Sequence, residues 1–115
     1  MSDEGMREPT FLILTALAGG RLHGYGLIQL VLSMSGGRVR LRPGTVYGAL
    51  DRLESDRLVA SDGEEIERGR VRRYFRLTAV GQEALAGETE RMAANVRAAK
   101  RALSRIEERV QGRSV

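Results

Sequence analysis

The sequence predicts a mainly α fold with a small β-hairpin, and three observations carry that reading. Apolar residues recur at three- and four-residue spacing in three short segments before residue 56. An alternating, arginine-rich run, "RVRRYFRL", follows and reads as a strand. The last third is one unbroken helical pattern with a seven-residue repeat.

The elements follow in order. Residues 1 to 8 are polar and are expected to fray. Pro9 suits the first turn of a helix, in which Phe11, Leu12, Leu14, Thr15, Leu17 and Ala18 form a wide buried face. Gly19 and Gly20 end it. "LHGYGLIQLVLSMSGG" reads as a second helix with Leu27, Ile28, Val31 and Leu32 on one stripe, stopped by Gly36-Gly37. Gly24 and Gly26 near its start permit close packing against a neighbour. "RVRLR" alternates Arg with apolar residues and reads as a short extended segment.

"RPGTVYGALDRLESDRLV" opens the third helix at Pro43, with Thr45 as the expected cap. Val46, Leu50, Leu53 and Ala49 face inward. Thr45, Tyr47, Gly48, Asp51, Arg52 and Ser55 are left outside. "LVASDGEEIERGRVRRYFRLT" reads as strand, loop and strand, the loop carrying Glu64, Glu65 and Glu67, then Arg68 and Arg70. In the second strand Val71, Arg73, Phe75 and Leu77 point one way, and Arg72, Tyr74 and Arg76 the other. Phe75 and Leu77 are assigned to the core.

Thr78 is the expected N-cap of a long helix from about Ala79 to near Gln111. In it Leu85, Thr89, Met92, Val96, Ala99, Leu103, Ile106 and Val110 recur at alternating four- and three-residue intervals, a heptad seam. Ala93, Ala94, Ala98 and Ala102 widen the stripe, which suggests packing in a small bundle. The seam runs too far for a small domain to cover, so it is assigned to a homodimer.

Composition narrows the function. The chain has 115 residues, enough for one modest core, and carries 19 Lys and Arg against 15 Asp and Glu. Nearly all of that basic charge is Arg, which makes bidentate hydrogen bonds to phosphate and guanine edges. With no Cys and one His, a disulfide framework or a metal site is not expected, and no cofactor is expected either. No arrangement pairs a nucleophile with a base and an orienting group, so no enzyme is expected. "FLILTALA" is too short to span a bilayer, and it follows acidic residues, unlike a secretory signal. The expected location is the cytoplasm, without membrane contact.

Three helices followed by a hairpin with a basic tip is the order of a winged helix-turn-helix. The second helix of such a motif lies in the major groove and presents its N-terminal residues to base edges. Here that helix starts at Pro43. The candidate DNA contacts are Arg40, Arg42, Thr45, Tyr47 and Arg52, with Arg68, Arg70, Arg72, Arg73 and Tyr74 on the wing. Plainer roles stand beside these: Tyr47 as a packing residue, and Arg52 paired with Glu54 or Asp56. His23 and Tyr25 are read as structural, buttressing the turn between the first two helices.

The segments "LHGYGLIQLV", "RPGTVYGALDRLESDRLV" and "RVRRYFRLTAVGQEAL" also resemble the PadR family of bacterial transcriptional regulators. The resemblance covers roughly residues 10 to 90. It implies a homodimeric DNA-binding regulator, usually a repressor, whose C-terminal helix pairs the chains. By position, Thr45 and Tyr47 match the family's recognition-helix Thr and Tyr. Arg72, Arg73 and Tyr74 match its basic wing strand, and Gly81 the Gly after it. Arg42 stands where the family often has Ser, and Gly48 where Pro is common. Some members sandwich flat effectors between aromatic residues at the dimer interface, whereas this chain has no Trp. Its C-terminal part is a single helix, as in the family's shorter branch.

The resulting expectation is a winged helix-turn-helix domain over 9–78 and a dimerisation helix over 79–111. The seam residues Leu85, Met92, Val96, Ala99, Leu103, Ile106 and Val110 join two copies. The partner is double-stranded DNA with a palindromic operator, and the function a dimeric repressor open to release by a small-molecule effector. The alternative is an adaptor that docks to another protein through the same elements without binding DNA.

Overall fold

The computed structural model describes residues 6–113. The polar start expected to fray lies, up to residue 5, outside the described residues. The elements are α1 (Glu8–Ala18), β1 (Leu22–His23), α2 (Gly24–Met34), α3 (Pro43–Ser55), β2 (Val59–Glu67), β3 (Arg70–Leu77) and α4 (Ala79–Arg113). One compact unit runs through Leu85, and the rest of α4 forms a second.

In the first unit α1, α2 and α3 bury one apolar cluster against the sheet. Ile13, Leu14, Leu27, Val31, Val46, Leu50, Val59 and Phe75 are its fully enclosed members. Burying such side chains stabilises the fold by roughly 1.5–3 kcal/mol each. The buried face of α1 is Ile13, Leu14, Ala16 and Leu17. Phe11, Leu12 and Thr15 are only half-buried and Ala18 is exposed, so the face is rotated from the expected one. Apolar residues all round α1 made the stripe ambiguous. Gly19 caps α1 in right-handed geometry, and the positive φ falls one residue later, at Gly20 (142°).

The sheet has three antiparallel strands in the order β1-β3-β2. Leu22 and His23, expected in the second helix, instead pair with Phe75 and Tyr74. The helix begins only at Gly24, because the His23 side chain caps it: Nδ1 accepts the Gly26 N–H at 3.0 Å. Residues 38–42 form no strand. The long loop expected inside the hairpin is absent. Glu64, Glu65 and Glu67 lie on β2, paired across from Arg73, Arg72 and Arg70. The turn is only Arg68 and Gly69, with φ of 51° and 78°. Two positive φ values match the strand twist in a two-residue hairpin.

Residues 53–58 close α3 with a hydrogen-bonded cap in which Leu58 N–H reaches the Leu53 carbonyl at 2.9 Å. Thr78 caps α4 as expected. Its Oγ1 accepts the Gly81 N–H at 2.9 Å and donates to the Arg57 carbonyl at 2.6 Å. Gly81 has no room for a side chain, since a Cβ there would collide with the Leu58 carbonyl and the Leu77 side chain. The first turn of α4 is thereby pressed onto the end of the hairpin.

In the second unit the apolar residues of α4 stay exposed. Met92 (41%), Val96 (52%), Leu103 (60%), Ile106 (48%) and Val110 (59%) recur along it. Ala99 is exposed between them, whereas Leu85 is half-buried against the core of the first unit. Among the described residues no helix is long and apolar enough to cross a membrane, and no group of three or more His, Asp or Glu is placed to hold a metal ion.

Candidate nucleic-acid interface

The third helix sets the geometry. Pro43 fixes the first turn and forces the residue before it into extended backbone, so Arg42 is the N-cap (φ −97°, ψ 152°). Thr45, expected as the cap, sits in the first turn instead, exposed and without a capping hydrogen bond. The Val46 N–H is the first to close a helical bond, to the Arg42 carbonyl. The amides ahead of it carry the positive end of the helix dipole. Val46, Ala49, Leu50 and Leu53 hold the opposite face in the core.

Tyr47 packs in part, the plainer of the roles considered for it. It is 42% exposed, yet its hydroxyl end lies on Gly24, where a Cβ would come within 2.7 Å of it. Gly24 therefore lets α3 meet the start of α2 closely, as the glycines there implied. Arg52 is exposed in the last turn and is not paired with Glu54, which accepts the Ser61 hydroxyl at 2.8 Å.

The arginines fall into two groups. Arg38 is bound to Glu8, and Arg21 to Glu65 and to the Asp62 carbonyl. The bond from Arg38 holds the Glu8 carboxyl below its usual range. Arg40, Arg42, Arg52, Arg68, Arg70 and Arg73 make no ion pair among the described residues. All six are exposed. Arg40 and Arg42 precede α3, Arg52 lies on it, and Arg68, Arg70 and Arg73 lie on the wing.

The wing has distinct faces. Arg73 lies 5.3 Å from the Phe75 ring, on the side that continues into the core. Near the tip Ile66 and Val71 face each other, 79% and 61% exposed. On the other side Arg72 and Tyr74 turn toward β1. Tyr74 meets the His23 ring edge-on at 5.3 Å and the Arg21 guanidinium at 4.1 Å. Partial desolvation, then the nearby Glu65, raises its phenol pKa. Arg21 and His23 thus fasten the wing base to the helical part. Arg21 was not singled out from the sequence, because a lone Arg after two glycines follows no pattern.

Three packed helices, an exposed second helix of the motif and a basic hairpin define a winged helix-turn-helix. The sequence model of the transcriptional regulator PadR-like family matches residues 13–87, more than half of the chain. The chain belongs to that family of transcriptional regulators.

An uncharacterized 37.1 kDa protein in transposon TN4556 of Streptomyces fradiae is 46% identical over 86 residues, 75% of this chain and 23% of that protein. Transcriptional regulator Rv3488 of Mycobacterium tuberculosis is 44% identical over 73 residues, 64% of each chain. The chain therefore spans less than two thirds of either curated relative. Among solved structures, a PadR family regulator from Clostridium difficile R20291 superposes with a TM-score of 0.70 at 26% identity, over 84% of this chain and 99% of that one. Bacillus subtilis PadR, solved in complex with operator DNA, shares the fold with a TM-score of 0.62 at 21% identity, over 70% of this chain and 46% of its own.

Proposed function

We propose that the chain binds duplex DNA sequence-specifically as a homodimer and acts as a repressor. The observation that carries this is the split along α3. One face is completely buried, while Thr45, one side of Tyr47 and Arg52 look outward beside arginines that have no acidic partner among the described residues. In this reading residues 9–78 are the DNA-binding part, and Thr45, Tyr47 and Arg52 enter the major groove. Arg40 and Arg42 grip the flanking backbone, and Arg68, Arg70, Arg72, Arg73 and Tyr74 belong to the wing that grips it further along.

Residues 79–111 pair two copies through Met92, Val96, Ala99, Leu103, Ile106 and Val110, with Leu85 at the near end of the seam. The exposed heptad row supports this, since such a row is stable in water only when covered. Two recognition helices about one DNA turn apart, roughly 34 Å, read a palindromic site. Family membership supports transcriptional regulation, and repression relieved by a small molecule fits that role.

The test is fluorescence anisotropy on duplex from upstream of the gene, against a shuffled duplex of equal composition, across a salt series. Selective binding with a steep salt slope is expected. Replacing Arg68, Arg70 and Arg73 by Ala should lower affinity and flatten the slope by about 0.9 for each phosphate no longer neutralised. Equal, weak binding to both duplexes, unaltered by the replacements, would favour the adaptor reading.

A further inference from the structure

We propose that the groove between the start of α2 and the wing seats one phosphodiester of the DNA backbone, and that Glu67 stands there as a built-in competitor. This rests on the DNA-binding reading above and adds an anchor made of residues that reading treats as structural or as general wing charge. The groove has a volume of about 540 Å³ and is lined by His23, Tyr25, Gln29, Glu67, Arg70 and Arg72, among others.

Two donors converge on one position without bonding an acceptor there. Arg72 Nε is shut off from solvent and has no hydrogen-bond partner. The Glu67 carboxylate is 4.0 Å away, too far for a hydrogen bond. Because His23 Nδ1 accepts the Gly26 N–H, the proton of the neutral ring sits on Nε2. That atom is also 4.0 Å from the same Glu67 oxygen. One carboxylate thus lies between two N–H groups and bonds neither. A buried guanidinium N–H left in that state is uncommon and calls for an acceptor.

A phosphodiester meets that demand. With the Glu67 carboxylate moved aside, its two free oxygens would supply the acceptors both donors lack, and its single negative charge suits a groove whose arginines outnumber its one carboxylate. Gln29 Nε2 donates to the Tyr25 hydroxyl at 3.1 Å, so the phenol proton is left to donate outward. Arg72 lies 5.6 Å from the Tyr25 ring, which steadies its plane. Glu67 ends β2 beside the turn, and its side chain is 57% exposed, so it can swing away as the phosphate enters. The groove-lining Tyr25 follows Gly24, which touches Tyr47 of the recognition helix.

The test compares Glu67→Gln, Glu64→Gln and Arg72→Lys with the wild type on a duplex that the wild type binds. Glu64 lies on the same wing strand but does not line the groove. Glu67→Gln should tighten binding about five-fold, the effect of removing one nearby like charge, and Glu64→Gln clearly less. Arg72→Lys should weaken binding although the charge is kept, since lysine has no Nε fork. Methylphosphonate placed singly along the backbone should weaken the wild type at one position, and that position should be silent in Arg72→Lys.

Failure of the wild type to bind any duplex would remove the DNA-binding reading itself. Wild-type binding with equal effects of Glu67→Gln and Glu64→Gln, and none of Arg72→Lys, would overturn only the phosphate seat. Saturable binding of inorganic phosphate at the Gly26 amide by NMR, with duplex affinity unaltered in these variants, would make the groove a free-anion pocket and overturn the backbone assignment.

Discussion

Helix α3 and the distal part of α4 are both amphipathic, and the chain treats them in opposite ways. In α3 the apolar side is sealed mainly by α2 and the sheet, with Val46 and Leu50 fully enclosed. In α4 beyond Leu85 an apolar row of similar regularity is left about half exposed from Met92 to Val110. The same residue chemistry therefore serves two purposes. Inside the winged unit it fixes the angle at which a polar face is displayed. On the long helix it leaves unburied area for another surface to cover.

That contrast makes graded predictions for the thermal stability of the winged unit, measured by calorimetry at a concentration where the chain is monomeric. Leu50→Ala empties the centre of the core and should cost about 2–5 kcal/mol. Gly81→Ala forces a methyl into the Leu58 carbonyl and should cost about 1–3 kcal/mol. Arg68→Asn should act in the other direction. Asn tolerates the left-handed backbone at the turn better than Arg, so stability should rise by about 0.5 kcal/mol while DNA affinity falls.

Glu8→Gln is smaller and depends on pH. The folded Glu8 carboxyl is held low by Arg38, so its contribution is complete above the unfolded value, about 4.3. It is lost as the pH falls through the lower folded value. Wild type should exceed the variant near neutrality, and the gap should close in strong acid; a gap that persists there would remove the pair as its cause. Leu103→Asp should change the unit's stability by less than about 0.5 kcal/mol. The same variant should halve the mass seen by light scattering at concentrations where the wild type dimerises. If instead Leu103→Asp unfolds the winged unit, the two helices do not differ in the way their burial implies.

Much of this was legible in the residues. Val46, Leu50 and Leu53 announced the buried side of α3 because their spacing admits only one face. Thr78 announced the start of α4 because a hydroxyl ahead of a long helical pattern has a donor to bond. Other features depend on neighbours distant in sequence. Leu22 and His23 are too few to show an alternating pattern, and they are strand only because Phe75 and Tyr74 lie beside them. The three glutamates looked like loop because acidic runs usually are. Their place on β2 follows from the two-residue turn and the ladder opposite Arg70, Arg72 and Arg73. Thr45 had the right chemistry for a cap, but Pro43 set the first turn ahead of it. The groove at Glu67 joins residues from α2 and both long strands, so no single segment could reveal it.

The short strand β1 has a consequence for how the chain reaches its native state. Through Leu22↔Phe75 it joins the second quarter of the first unit to its far end. Helices α2 and α3 and the β2–β3 hairpin involve neighbours in sequence and form early at little entropic cost. The β1–β3 pairing, like the packing of α1 on β3, closes a long loop, so its free energy is gained only after that closure. It should form late in folding, with φ-values near zero at Leu22 and higher values in α3. Removing it should then show chiefly as faster unfolding. Two residues of strand thereby act as the latch on the lifetime of the winged unit.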